Sequence, residues 1–203
     1  MKLLTNRRLV RFADVGTENS IISFSPYCFC ITEDDSLIVY LWSSNLYQMY
    51  GGYQNRIMWM NTDGIMTKSF YFNDKTWNQP CSIQNLESGI CVLYRIDNNS
   101  NLHGIDLIDA TSKTYNKLLD FKGVYGSNPK QNFECEGICV DKAHNIFVSD
   151  VRHHSVYILD KHLKYKHTLF NAKNGLDTPA AIGLLNDYIW VADGNNIYIF
   201  HNT

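Results

Sequence analysis

An all-β fold is predicted for this chain, on three observations. Tyr, Phe and Trp are plentiful, with 13, 10 and 4 copies, whereas Pro has only 4. Aromatic and β-branched residues favour strands, and Pro disrupts them. A unit of two short apolar runs around a polar turn occurs four times along the 203 residues. The segments after these units repeat as well, again as strand-like runs around turns.

The first unit is SPYCFCITEDDSLIVYL, Ser25 to Leu41, and the second is QPCSIQNLESGICVLY, Gln79 to Tyr94. The third, FECEGICVDKAHNIFVSD, runs from Phe133 to Asp150 and is the clearest. Ile138-Cys139-Val140 precedes Asp141 and a polar turn; Ile146-Phe147-Val148 follows, closed by Asp150. The fourth is TPAAIGLLNDYIWVAD, Thr178 to Asp193. Pro26, Pro80 and Pro179 open three units, and Cys135 takes that position in the other. The units begin about 44 to 55 residues apart, the period of propeller blades rather than of helical repeats.

Each unit is followed by a second strand pair. RIMWMNTDGIMTKSFYF has Asp63-Gly64 as its hairpin turn. HGIDLIDATSKTYNKLLDF follows Tyr94, and SVYILDKHLKYKHTLF turns at Asp160-Lys161. Four antiparallel strands make one blade, and alternate residues such as Val148, Val156 and Ile158 then pack between blades. The ends are partial. Asn196 to His201 forms a third strand of the last blade, and RLVRF and SIISF near the N-terminus read as two strands that could complete it. The sum is about 17 strands, where four blades use about 16 and six about 24. The expected fold is thus a β-propeller in a single domain, 1–203, with repeats near 26–72, 80–121, 135–170 and 179–203. About four blades are recognisable, and an incomplete six-bladed ring remains open.

Composition narrows the function classes. About 45% of residues are apolar and net charge is −2, so the strongly basic signature of nucleic-acid domains is missing. Arg7, Arg8 and Arg11 interrupt the N-terminal apolar stretch, unlike a signal peptide. No run approaches a membrane span. A soluble, cytoplasmic protein without membrane contact is expected. The six cysteines contain no C-x-x-C pair, and Cys30, Cys91 and Cys139 lie in apolar runs where a free thiol packs as a small hydrophobe. A structural zinc module is not expected.

The residues EGICVDKAHNIFVSDVRHHSVYILD resemble NHL repeats, in which Pro-x-Gly-Ile-x-x-Asp leads to Asn-Ile-x-Val-x-Asp and a Val-x-Ile-x-Asp strand. The match is good in residues 133–201 and weaker in residues 26–121. LDTPAAIGLLNDYIWVADGNNIYIF is similar to the last blades of NHL-type propellers in TRIM-like proteins. The resemblance implies a propeller, commonly six-bladed, that selects the target of a ubiquitin ligase carried by separate RING, B-box and coiled-coil regions. Some family propellers bind RNA. No RING or B-box is present here, so no ligase activity is expected of these residues.

Because blade strands alternate in direction, loops joining strands two and three share a face with loops joining successive blades. The first set is Trp42 to Asn55, Arg95 to His103, Val151 to His154 and Gly194 to Asn196; the second is Asn73 to Gln79, Lys122 to Asn132 and Asn171 to Thr178. Function concentrates in such loops. WSSNLYQMYGGYQN offers Trp42, Tyr47, Tyr50 and Tyr53, aromatic anchors of the kind that dominate interfaces, unless they fold back over their own blade. Arg95 and the run Arg152-His153-His154 suit an acidic partner, or a solvated turn. Asp141, Asp150 and Asp193 recur at equivalent positions and are expected to bond nearby backbone amides. Trp59 and Trp190 read as core.

A protein partner is the expected ligand. RNA is the alternative, through Lys122, Lys130, Arg95 and Arg152 beside Tyr50 and Trp77, and oligomeric state is left open. A metal-dependent lactonase- or esterase-like propeller is a further alternative, with Glu136, Asn85 and Asn186 as oxygen donors. These do not assemble the six to eight ligands calcium takes, and G-x-S-x-G and H-E-x-x-H are missing. No enzyme activity and no cofactor are expected.

Overall fold

The computed structural model describes residues 25–43, 54–72, 80–96, 103–109, 117–121 and 133–201. The expected N-terminal strands and the tyrosines of the first long loop lie outside them.

Four antiparallel sheets form a four-bladed β-propeller. Blade 1 holds β1 (Ser25–Ile31), β2 (Leu37–Ser43), β3 (Gln54–Met60) and β4 (Met66–Phe72). Blade 2 holds β5 (Pro80–Leu86), β6 (Gly89–Arg95), β7 (His103–Ile108) and β8 (Lys117–Phe121). Blade 3 holds β9 (Cys135–Val140), β10 (Ile146–Asp150), β11 (Ser155–Leu159) and β12 (Tyr165–Phe170). Blade 4 holds β13 (Pro179–Leu185), β14 (Tyr188–Asp193) and β15 (Asn196–His201). Among the described residues one 3-10 turn, Ala172–Asn174, lies between blades 3 and 4.

Three of the hairpin turns are built by their first residue. The amides of Ala143 and Asn145 donate to Asp141 Oδ1 at 2.9 and 2.8 Å, those of His162 and Lys164 to Asp160 Oδ1, and those of Asp63 and Ile65 to Asn61 Oδ1. One short acceptor thus closes each turn by bonding its own backbone two and four residues on. The fourth turn residue is left-handed: Gly64, His144 and Leu163. Gly89 opens β6 at φ 154°, and a Cβ there would lie 2.1 Å from the Ile108 carbonyl oxygen, so only glycine fits.

The first and second strands pair in the same register in every blade. Pro26, Pro80, Cys135 and Pro179 face Leu41, Tyr94, Asp150 and Asp193, and one residue is skipped immediately afterwards. The skipped residues are Tyr27, Cys81, Glu136 and Ala180, and all four are exposed. A β-bulge of this kind re-aims one side chain per strand.

Packing runs from blade to blade through the inner strands: β1 against β5, β5 against β9, β9 against β13. Cys30, Ile38, Tyr40 and Ile57 pack on Ile83, Ile90, Val92 and Tyr94 of blade 2. Cys91, Leu93, Ile105 and Leu107 pack on Ile138, Ile146 and Val148 of blade 3. Phe147, Val156 and Ile158 pack on Ile189 and Val191 of blade 4. Strands buried on both faces read as continuous apolar runs rather than alternating ones, which explains ICVLY in β6 and SVYIL in β11. The third joint is closest where β9 and β13 cross. A Cβ on Gly137 would sit 3.0 Å from the Ile182 amide nitrogen.

Trp190 departs from the sequence expectation of a core residue: it is 37% exposed, on the side of blade 4 turned away from blade 3. Its alternating pattern is that of a buried strand, but no described residue packs over it. Trp59 is partly buried against the joint of blades 1 and 2, with Lys68 Nζ 4.7 Å above its ring.

Candidate functional site

The loop face is held by two equivalent aspartates. The Asp150 carboxylate is 1% exposed and accepts from the amides of Glu134 at 3.5 Å and His153 at 3.3 Å. Asp193, 3% exposed, accepts from the amides of Asp177, at 3.0 and 3.2 Å to its two oxygens, and of Thr178. Each therefore ties the end of a second strand to the segment entering its own blade. The backbone bonding expected of Asp150, Asp193 and Asp141 is present.

The residues singled out on this face divide. His153 Nδ1 is 2.7 Å from Asp150 Oδ2, and His154 Nδ1 meets the Asp177 carbonyl oxygen. Both imidazoles are engaged within the loops, so they brace the face as much as they present it. Arg152 is exposed. Arg95 is half-buried at the end of β6, and its Nε is buried with no hydrogen-bond partner among the described residues. Trp42 is in β2, its backbone opposite Asn55. Tyr47, Tyr50, Tyr53, Trp77, Lys122 and Lys130 lie outside the described residues.

Arg95 stands beside a group that the sequence did not suggest. The bulged Cys81 has its thiol pushed up by burial, further up by the Glu136 carboxylate, and down by the Arg95 guanidinium. Two bulge residues from neighbouring inner strands and an arginine thus share one field. In the sequence each opening Pro or Cys stands three residues before an apolar residue, Phe29, Ile83, Ile138 and Ile182, and the bulge falls inside that constant interval.

The opposite face carries a cavity of about 770 Å³ between the hairpin turns of blades 1, 2 and 3. Thr32, Asp34, Gln84, Glu87, Asp141 and His144 line it. The Thr32 hydroxyl, then the Ser36 amide and hydroxyl, hold the Asp34 carboxyl below its usual 3.8. Of the three oxygen donors weighed from the sequence, Asn85 lines this cavity. Glu136 lies at the bulge of β9 and Asn186 in the β13–β14 turn, so they do not converge with it. Among the described residues no group of three His, Cys, Asp or Glu side chains could hold a metal ion. No described helix is long and apolar enough to cross a membrane.

No sequence-family model and no curated protein match the chain. Solved structures match it in fold. A protein of unknown function from Bacteroides caccae has a TM-score of 0.61 at 12% identity, over 88% of this chain and 64% of that one. The β-propeller domain of Cps50 (Swd1) from Myceliophteria thermophila has 0.53 at 11%, over 89% and 55%. Catalytically inactive virginiamycin B lyase from Staphylococcus aureus, solved with quinupristin, has 0.53 at 14%, over 91% and 57%. The shared feature is the propeller. This chain spans less than two thirds of the length of each of these three proteins.

Proposed function

We propose that this chain is a non-catalytic protein-interaction module whose loop face binds a protein partner, in the manner of NHL-type propellers that select targets for TRIM-like ubiquitin ligases. The observation that carries the reading is the loop face itself. Asp150 and Asp193 fix its backbone, and the exposed Arg152 stands on that fixed frame. A preorganised surface loses little entropy on binding. Arginine donors favour an acidic segment, and residues 42–55 are rich in sequence in the aromatics that anchor interfaces.

The test is a displayed peptide library selected on the immobilised chain. Acidic peptides that hold at moderate salt, and that weaken about tenfold or more in an Arg95→Ala, Arg152→Ala variant with an unchanged melt, support the reading. A chain that selects no peptide but binds single-stranded RNA, with affinity falling steeply as salt rises, replaces it with the RNA reading.

A further inference from the structure

Blade 2 breaks the repeat at the end of its inner strand. Five residues after the opening Pro or Cys, the four inner strands carry Ile31, Asn85, Val140 and Leu184; one place earlier they carry Cys30, Gln84, Cys139 and Gly183. Only blade 2 has amides there, and both line the cavity of about 770 Å³ between blades 1, 2 and 3. The other blades show that small or apolar side chains satisfy the strand at these places, so the fold does not require the amides. Departures of this kind mark functional positions. Gln84 Nε2 donates to the Ile138 carbonyl oxygen at 3.2 Å, across the joint to blade 3. Among the described residues neither the Gln84 amide oxygen nor the Asn85 side chain makes a hydrogen bond.

The rest of the lining selects the charge of a ligand. Ile31, Val140 and the Trp59 ring supply apolar wall, while Glu33 and Asp34 of blade 1, Glu87 of blade 2 and Asp141 of blade 3 supply carboxylates. Against them stand Lys142 and His144 in the lining and Lys161, whose Nζ is 3.6 Å from Glu87 Oε2, so acids outnumber lysines. Two of the acids are held in place: Asp34 by the Ser36 amide and hydroxyl, and Asp141 by its turn amides and by Asn145 Nδ2 at 2.8 Å. Such fixed acceptors bind without first being ordered. The negative charge is spread over three blades, and among the described residues no three of these groups could hold one metal ion. A cation whose own charges are spread along an apolar chain matches it. Lys68 Nζ, 4.7 Å from the Trp59 ring centroid, shows this ring already accepting an ammonium. We propose that the cavity binds an aliphatic polyamine. Its ammonium groups lie among the four carboxylates and the Gln84 and Asn85 amide oxygens, and its methylenes lie on Ile31, Val140 and Trp59. The volume is that of an ordinary small-molecule site. This face is opposite the proposed protein-binding loops, and the inference does not rest on that reading.

The test is calorimetric titration of the full chain with spermidine at moderate salt, beside an uncharged diol of equal length and magnesium chloride. Saturable binding of one spermidine per chain is expected, with none of the diol and no displacement by magnesium at equal charge. Asn85→Leu, which installs the blade 4 residue, is expected to weaken spermidine about tenfold with an unchanged melt, the loss of a hydrogen bond to a charged group. The double variant Glu33→Gln, Glu87→Gln, changed at two exposed positions, is expected to weaken it at least as much and keeps the test valid if Asn85→Leu does not fold. No saturation up to millimolar spermidine overturns the proposal. So does displacement by magnesium at equal charge, which is the mark of a diffuse counter-ion. Unchanged affinity in the folded variants overturns it as well.

Discussion

His153 Nδ1 lies 2.7 Å from Asp150 Oδ2, and the carboxylate is buried at the end of β10 where it also accepts the amides of Glu134 and His153. One side chain thereby joins a second strand, the loop after it and the chain entering its blade. Replacing Asp150 with Ala leaves those donors without an acceptor, at a cost of about 2 kcal/mol. Thermal melts should show a fall of roughly 4–8 °C for a chain of this length. Asp193→Ala, which breaks the same device in the next blade, should add to it nearly independently.

Gly89 is a second point of sensitivity. Its φ of 154° and the 2.1 Å approach of the Ile108 carbonyl leave no room for a Cβ. Gly89→Ala should cost at least about 2 kcal/mol through backbone strain. Gly183, with open space around its Cβ position, is the control: Gly183→Ala should leave the melt within about 0.5 kcal/mol of wild type.

The thiols differ in reach. Burial pushes Cys28 and Cys30 up to about 12 and raises Cys91, Cys135 and Cys139 as well; the Cys81 thiol is raised too, but Cys81 alone is exposed, at its bulge. The thiolate is the reacting form. Alkylation of the native protein at pH 8 should therefore give at most one adduct by mass, at Cys81, and six after denaturation.

The Asp34 carboxyl should titrate below 3.8 by NMR. A carboxyl whose folded pKa is depressed binds its proton more weakly folded than unfolded. Its contribution to stability is therefore complete above the unfolded value and is lost as pH falls through the folded one. Thr32→Val should bring the titration back toward 3.8.

If the chain carries no structural metal, a chelator leaves the melting temperature unchanged. A large drop would favour the metal-dependent hydrolase alternative over the binding module.

Much of the scaffold was legible because each repeat states its own strands. Apolar runs, the closing Asp150 and Asp193, and the residues Asn61, Asp141 and Asp160 that open three of the turns are local features, and local hydrogen bonds realise them. Trp190 and Ile197 show the limit. Their alternation is identical to that of Phe147 and Val156, and only the blade count decides whether another blade lies over them. The cavity at Thr32, Gln84 and Asp141 was hidden for a related reason. It draws residues from the ends of the first strands and the turns after them in three blades, some 55 residues apart, and no local pattern joins them. Cys81 beside Glu136 and Arg95 depends on a one-residue bulge that pairing, not composition, reveals.

Hydrogen exchange with and without a selected acidic peptide tests the binding face most directly. Protection confined to the amides of 95–103, 151–154 and 171–178 is the predicted result. Protection of the turns at Thr32–Ser36 and Asp141–Asn145, with the loop face unchanged, would contradict it and move the site to the opposite cavity.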